Sequence, residues 1–346
     1  MTQAGDRTPR KETSLSFKVV RYQIPSKKIE GNLRFALLSD LHNRQHGPHN
    51  RDLLSAIVAA RPDLILVAGD MTIARTSETA EGIRLLREMQ KIAPVAFANG
   101  NHESKLHINH HDDFERVQAE LEADGVTFLN NRSQTFSLGG RGAGLSDENE
   151  LAPREEFRQV SGPAVENAPA EGPAGGSAAE NAPAAVSAGA NFVTGYGLEI
   201  PVDLYKKFRV QHFSLQEMQT MLGERPGGDT FSFLLAHNPQ FMPTYLAWGA
   251  DLVVCGHFHG GIMRLTDHQV LVSPYGFPLP RFGYGRYCDG RHTGIVTSGL
   301  GDHALDIRIH NPMELVIIDV VERKKRRKTQ EGEPQDGCRG LMSDAP

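Results

Sequence analysis

Five short segments along the chain each carry a carboxylate, amide or imidazole, and they come in a fixed order. They are Ser39-Asp40-Leu41-His42, Gly69-Asp70, Gly100-Asn101-His102-Glu103, Ala236-His237-Asn238-Pro239 and Gly256-His257-Phe258-His259-Gly260. Asp40 and His42 are separated by one residue, as are His257 and His259. At a strand end, side chains two apart point the same way, so each pair can face one metal ion. Asp70 adds a carboxylate whose two oxygens can bridge two ions, Asn101 a neutral amide oxygen and His237 another imidazole. Mixed imidazole and carboxylate donors suit Zn²⁺, Fe or Mn²⁺ better than Ca²⁺ or Mg²⁺. One histidine, His102, is left for acid–base chemistry. Taken singly, each segment has an ordinary explanation as a helix cap, a turn or a solvated loop. The set as a whole points to a metal-dependent hydrolase.

The segments need elements to hold them. Leu33–Leu38 is an apolar run ending at Ser39-Asp40, Leu64–Ala68 ends at Gly69-Asp70, and Pro94–Ala98 leads to Gly100-Asn101-His102. Between these runs, Leu53–Ala60 and Glu78–Lys91 carry apolar residues at helical spacing, and Asp112–Ala123 reads as a further helix. Continuous apolar strands alternating with amphipathic helices imply a largely parallel sheet covered by helices. Ligands gather outside the carboxyl ends of such strands, so one rim can collect the first three segments. Later, Phe231–Ala236 ends at His237 and Asp251–Cys255 ends at Gly256-His257, with Phe241–Trp248 a short helix between them. Gly294–Thr297 and Leu315–Val320 supply further strands.

The stretch from Asp147 to Ala190 is dominated by Ala, Pro, Gly, Glu, Asn and Ser, and residues 163–190 contain no aromatic residue, Leu, Ile or Met. Such a segment cannot bury enough apolar surface to offset its ordering entropy, and it reads as a disordered insertion. Strand-like sequence on both sides, Gln134–Leu138 and Phe192–Leu198, places it inside a hairpin. From Arg323 the chain turns basic and then polar, which reads as a solvated tail.

The 346 residues allow one large α/β domain or two modest ones, and the net charge of −5 argues against a broad nucleic-acid-binding surface. Cys255, Cys288 and Cys338 show no paired spacing, so a disulfide framework is not expected and a reducing compartment is the simpler reading. With no long apolar run and no signal-type N-terminus, the chain reads as cytoplasmic, with peripheral membrane contact left open.

The motif set and its order resemble the calcineurin-like metallophosphoesterase family: Asp-x-His, Gly-Asp, Gly-Asn-His-Glu, His, then Gly-His-x-His-Gly-Gly as in a bacterial branch. The resemblance covers roughly residues 33–322 apart from the insertion. It implies a four-layer α/β/β/α sandwich over residues 31–322, preceded by an N-terminal extension (1–30), interrupted at 147–190 and followed by the tail (323–346). It implies two divalent cations (Mn, Fe or Zn), one held by Asp40, His42, Asp70 and His259, the other by Asp70, Asn101, His237 and His257. His102 would face the substrate, protonating the leaving oxygen or stabilising the phosphoryl group. The activity implied is hydrolysis of a phosphate ester or diphosphate, on a small or lipid-linked substrate, by a hydroxide bridging the two metals. A nuclease, a cyclic-nucleotide phosphodiesterase and a non-catalytic metal-binding scaffold are the alternatives.

Two departures stand out. Many relatives carry an aspartate three residues after the Gly-Asp aspartate, which in some branches orients the catalytic histidine, and this chain has Ile73 there. After Gly260-Gly261, where Gln is common, it has Ile262. His107, His110 and His111 form a further cluster, read as an exposed loop in preference to a third metal site, and Arg281, Tyr284 and Arg286 lie in a loop able to meet a phosphate.

Overall fold

The computed structural model describes residues 16–75, 79–139, 190–206, 211–225, 228–266, 269–272, 279–302, 307–323 and 339–340. The expected insertion lies outside these residues except for Ala190, as does most of the tail. The chain opens with β1 (Lys18–Ser26), β2 (Asn32–Leu38), α1 (Arg51–Ala60), β3 (Leu64–Val67), α2 (Ala80–Gln90), β4 (Val95–Phe97), α3 (Asn101–Asn109), α4 (His111–Ala123) and β5 (Thr127–Phe128). Next come β6 (Arg132–Gly139), β7 (Ala190–Leu198), α5 (Leu215–Leu222), β8 (Phe231–Ala236), α6 (Met242–Trp248) and β9 (Leu252–Cys255). Then follow β10 (Met263–Thr266), β11 (Gln269–Val272), β12 (Gly285–Cys288), β13 (Thr293–Val296), β14 (Glu314–Glu322) and β15 (Arg339–Gly340).

Two large sheets result, ordered β1-β14-β2-β3-β4-β5 and β15-β12-β13-β9-β8-β7-β6. β2, β3, β4 and β5 run parallel, while β14 is antiparallel to β2, so the first sheet is mixed. The apolar runs read from the sequence are continuous because both faces of each sheet are covered. Ala36, Leu38, Ile65, Val67, Val95 and Phe97 form one core with Leu53 and Ile57 of α1, Leu85 and Met89 of α2 and Leu121 of α4. The intervening residues Phe35, Leu37, Leu64 and Leu66 form a second core with Phe136, Val193, Phe231, Phe233, Leu235 and Val254 of the second sheet. Leu234, Ala236, Val253 and Cys255 look the other way and form a third with Met218 of α5 and Tyr245 and Leu246 of α6. Three cores between four layers make the expected α/β/β/α sandwich.

The hairpin around the insertion is present, with β6 and β7 antiparallel and Gly139 opposite Ala190. The N-terminal extension is more than a leader. β1 pairs in register with β14 from Lys18↔Glu314 to Ser26↔Glu322. This strand was not found from the sequence: Val20, Tyr22 and Ile24 face the core between the sheets, but the charged and polar residues between them, as expected at a sheet edge, hid the alternation. Among the described residues of the tail, β15 runs parallel to β12 at the sheet edge. The His107–His111 segment is helical where a loop was expected: His107 lies in α3, His110 breaks the helix and His111 opens α4. Cys255 is buried and free. Cys288 is disulfide-bonded, which the unpaired spacing did not foretell. Among the described residues no helix is long and apolar enough to cross a membrane.

Candidate metal centre

The five segments leave the carboxyl ends of β2, β3, β4, β8 and β9, so the collecting rim is shared by both sheets. The first two loops are zipped together beyond their strands: Asp40 N–H donates to Gly69 O at 3.0 Å and His42 N–H to Asp70 O at 3.1 Å. Strand alternation does not aim the side chains here. Asp40, His42, Asp70, His257 and His259 all adopt left-handed backbone, with φ of 52°, 49°, 56°, 67° and 47°. That conformation costs a non-glycine residue about 1–2 kcal/mol, and its clustering in a binding rim is the pattern expected where neighbours enforce strain. Two glycines let the loops close. A Cβ on Gly256 would overlap Ser39 Oγ and Asp40 Oδ2, and one on Gly100 would overlap Asp70 Oδ1.

The donors converge in two groups. Asp40, His42 and His259 form one, and Asp70, His237 and His257 the other, each offering three ligand atoms within 4.8 Å of one another. In the first, His42 Nε2 is 3.1 Å from His259 Nε2, and Asp40 Oδ1 is 3.3 Å from His259 Nε2. In the second, Asp70 Oδ2 is 3.0 Å from His237 Nε2, and the same oxygen is 3.8 Å from His42 Nε2 in the first group. Ligands bonded at about 2.0–2.1 Å to one tetrahedral ion sit about 3.3 Å apart, so the separations within each group are close to what two donors to one cation would have. Asn101, first in α3, is buried with its Oδ1 lacking a hydrogen-bond partner. His237 Nε2 also lacks an aligned hydrogen bond despite its closeness to Asp70. Its Nδ1 lies 2.6 Å from Ala68 O, and donating there fixes the tautomer that leaves Nε2 free to bind a metal.

Charge balance agrees. Burial pushes the Asp40 carboxyl up to about 6 and the His42 imidazole down to about 4. Burial would also lower His237, but the Asp70 and Asp40 carboxylates outweigh it and hold its imidazole up to about 9. Burial disfavours the charge on Asp70 too, yet His237, His102 and His42 keep its carboxyl well below the usual range. Two buried carboxylates, the orphaned Asn101 and His237 atoms, and imidazole nitrogens facing each other together fit divalent cations.

His102 stands at the same rim. Its ring centroid is 4.7 Å from that of His42, and it groups with His42 and Asp70. Its main-chain N–H donates to Asp70 Oδ1 at 2.8 Å. The orienting carboxylate missing at Ile73 is not replaced by Glu103. Instead, His102 Nδ1 accepts the backbone N–H of Ala74 at 3.0 Å. Glu103 turns inward and accepts the N–H groups of Asp70 (2.7 Å), Gly100 (3.0 Å) and Thr72 (3.2 Å). Burial pushes its carboxyl up to about 7.

Sequence reasoning missed three contributors. Besides Glu103, Arg308 Nη1 donates to His259 O at 3.2 Å and Asn311 Nδ2 donates to the same oxygen at 2.7 Å, clamping the last loop. Both follow a segment whose pattern gave no signal. Asn43, next to His42, has both side-chain amide atoms buried and unpartnered. Of the suggested phosphate-loop residues, Tyr284 is committed elsewhere: its hydroxyl donates to Glu314 at 2.7 Å beneath the Arg264 guanidinium.

The family model for calcineurin-like phosphoesterases matches residues 33–261, about two thirds of the chain. No curated protein matches. Among solved structures, a sulfate thiohydrolase SoxB from Thermus thermophilus, determined with glycerol, is similar at 14% identity and a TM-score of 0.38. That alignment takes in 81% of this chain and 54% of the other, so the chain spans about half the length of that structure.

Proposed function

The chain belongs to the calcineurin-like phosphoesterase family, and on that premise we propose that it hydrolyses a phosphate ester or anhydride at a centre of two divalent cations. The observation that carries this reading is the pair of donor groups meeting at Asp70, whose Oδ2 lies 3.0 Å from His237 and 3.8 Å from His42. Asp40, His42, Asp70 and His259 would hold one cation, and Asp70, Asn101, His237 and His257 the other, with Mn, Fe or Zn suited to such donors. Bound there, the cations would supply a water of lowered pKa and neutralise charge on the phosphoryl oxygens.

The chain's own part centres on His102. A backbone N–H cannot accept a hydrogen bond, so the Ala74 N–H requires a lone pair on Nδ1 and leaves the proton of the neutral ring on Nε2. Burial also lowers the basicity of this imidazole. Both features favour His102 as a neutral donor that stabilises the phosphoryl oxygens over a charged acid that protonates the leaving group. Leaving groups that depart without a proton, as in a diphosphate, then suit the centre better than alkoxides. Glu103 holds the loops of Asp70 and Gly100 in place, while Arg308 and Asn311 hold that of His259.

Metal analysis combined with assays on p-nitrophenyl phosphate and bis(p-nitrophenyl) phosphate in Mn²⁺ tests the reading. About two ions per centre and turnover of either ester are expected. Metal binding without turnover of these esters or of a diphosphate would make the chain a scaffold.

A further inference from the structure

Among the described residues outside this centre, one more group of metal-ligating side chains comes together. α3 ends at Asn109, His110 leaves helical geometry at φ −143° and ψ 52°, and α4 begins at His111. Residues 107, 111 and 115 are four apart, the spacing that stacks side chains on one helical face, and the break at His110 does not scatter them. His107 Nε2 lies 2.8 Å from Glu115 Oε1. The His107 and His111 rings stack with centroids 4.9 Å apart and planes 17° from parallel. One ligand atom from each of the three falls within 4.8 Å of the others. Phe114 also stacks on His107, with centroids 4.9 Å apart and planes 25° from parallel, which limits the ring's freedom.

The geometry points to a third divalent-cation site, formed by His107, His111 and Glu115 at the junction of α3 and α4. Two imidazoles and one carboxylate are a donor set of zinc chemistry, with a fourth position left for water. Imidazole donors also select Zn²⁺, Ni²⁺ or Cu²⁺ over Mg²⁺ and Ca²⁺. Ligand atoms around a tetrahedral Zn²⁺ stand about 3.3 Å apart. The His107–Glu115 pair must therefore open slightly and His111 must close in, both within reach of side-chain rotation at half-buried and exposed positions. An ion there would tie the end of α3 to the start of α4. α3 is the helix that begins with Asn101 and His102, and His107 lies five residues along it, a rise of about 7.5 Å from His102. The site uses no residue of the main centre, so it stands or falls independently of the proposed hydrolase activity.

The test is Zn²⁺ stoichiometry after equilibrium dialysis of the full chain, comparing the wild type with His107→Ala/His111→Ala. The expected result is one equivalent fewer in the variant, with phosphoesterase activity in Mn²⁺ and far-ultraviolet circular dichroism unchanged. His111→Ala alone should weaken the same equivalent by at least tenfold, and it guards against misfolding of the double variant. Equal stoichiometry in wild type and variants, or loss of more than one equivalent, would overturn the proposal.

Discussion

Glu103 Oε2 accepts the main-chain N–H of Asp70 at 2.7 Å, so the residue after the proposed catalytic histidine is built into the loop of the proposed bridging ligand. The same carboxylate takes the N–H groups of Gly100 and Thr72. Glu103→Ala would leave three buried donors unpaired, each costing about 1–3 kcal/mol. The expected outcome is a large fall in melting temperature with loss of bound metal, read by thermal denaturation and metal analysis. Glu103→Gln retains one acceptor oxygen and should fall between the two.

Gly256 fits against Ser39 and Asp40 with no room for a methyl group. Gly256→Ala should push the β9 loop, and His257 with it, away from the β2 loop. Overpacking of this kind costs about 1–3 kcal/mol. Metal content should drop more than global stability does, which parallel melting curves and metal titrations would show.

Much of this was legible from residue types. The runs Leu33–Leu38, Leu64–Ala68 and Phe231–Ala236 had to be covered on both faces, and the structure covers them so. The candidate donors Asp40, His42, Asp70, His237, His257 and His259, which the structure brings together, stood out because their types repeat at strand ends. What aims them was not legible. Left-handed backbone at five non-glycine positions depends on tertiary enforcement, which no local propensity encodes. Arg308 and Asn311 act across 49 and 52 residues on His259, and nothing in their neighbourhood marks them. Ala74 is invisible in principle, since it contributes only a backbone N–H.

That N–H makes a prediction about His102. If the ring acts as a neutral Nε2 donor, His102→Ala should lose about 10²–10³ in kcat while keeping its metals. His102→Gln, which restores an N–H donor, should recover part of the loss. Rates across a series of aryl and alkyl phosphates should fall steeply as the leaving group becomes more basic. A flat dependence on the leaving group in the wild type, made steep by His102→Ala, would instead identify His102 as the general acid.

Metal removal should expose the titration of His237. In the metal-free protein its imidazole is held up to about 9, above its ordinary value. The stability it contributes is therefore complete below pH 6.5 and is lost as pH rises through 9. A cation must displace that proton, so metal affinity should climb between pH 6.5 and 9. Denaturation of chelator-treated protein and metal titrations at several pH values check both signs; an affinity independent of pH would contradict them.

The most direct test of the account is metal content per chain in wild type and Asp70→Asn, measured after loading with Mn²⁺ in the His107→Ala/His111→Ala background so that only the main centre is counted. The account predicts two ions in the parent and impaired occupancy of both positions when Asp70 is changed, with hydrolysis of p-nitrophenyl esters lost in parallel. A single ion in the parent, or two ions retained without Asp70, would contradict it.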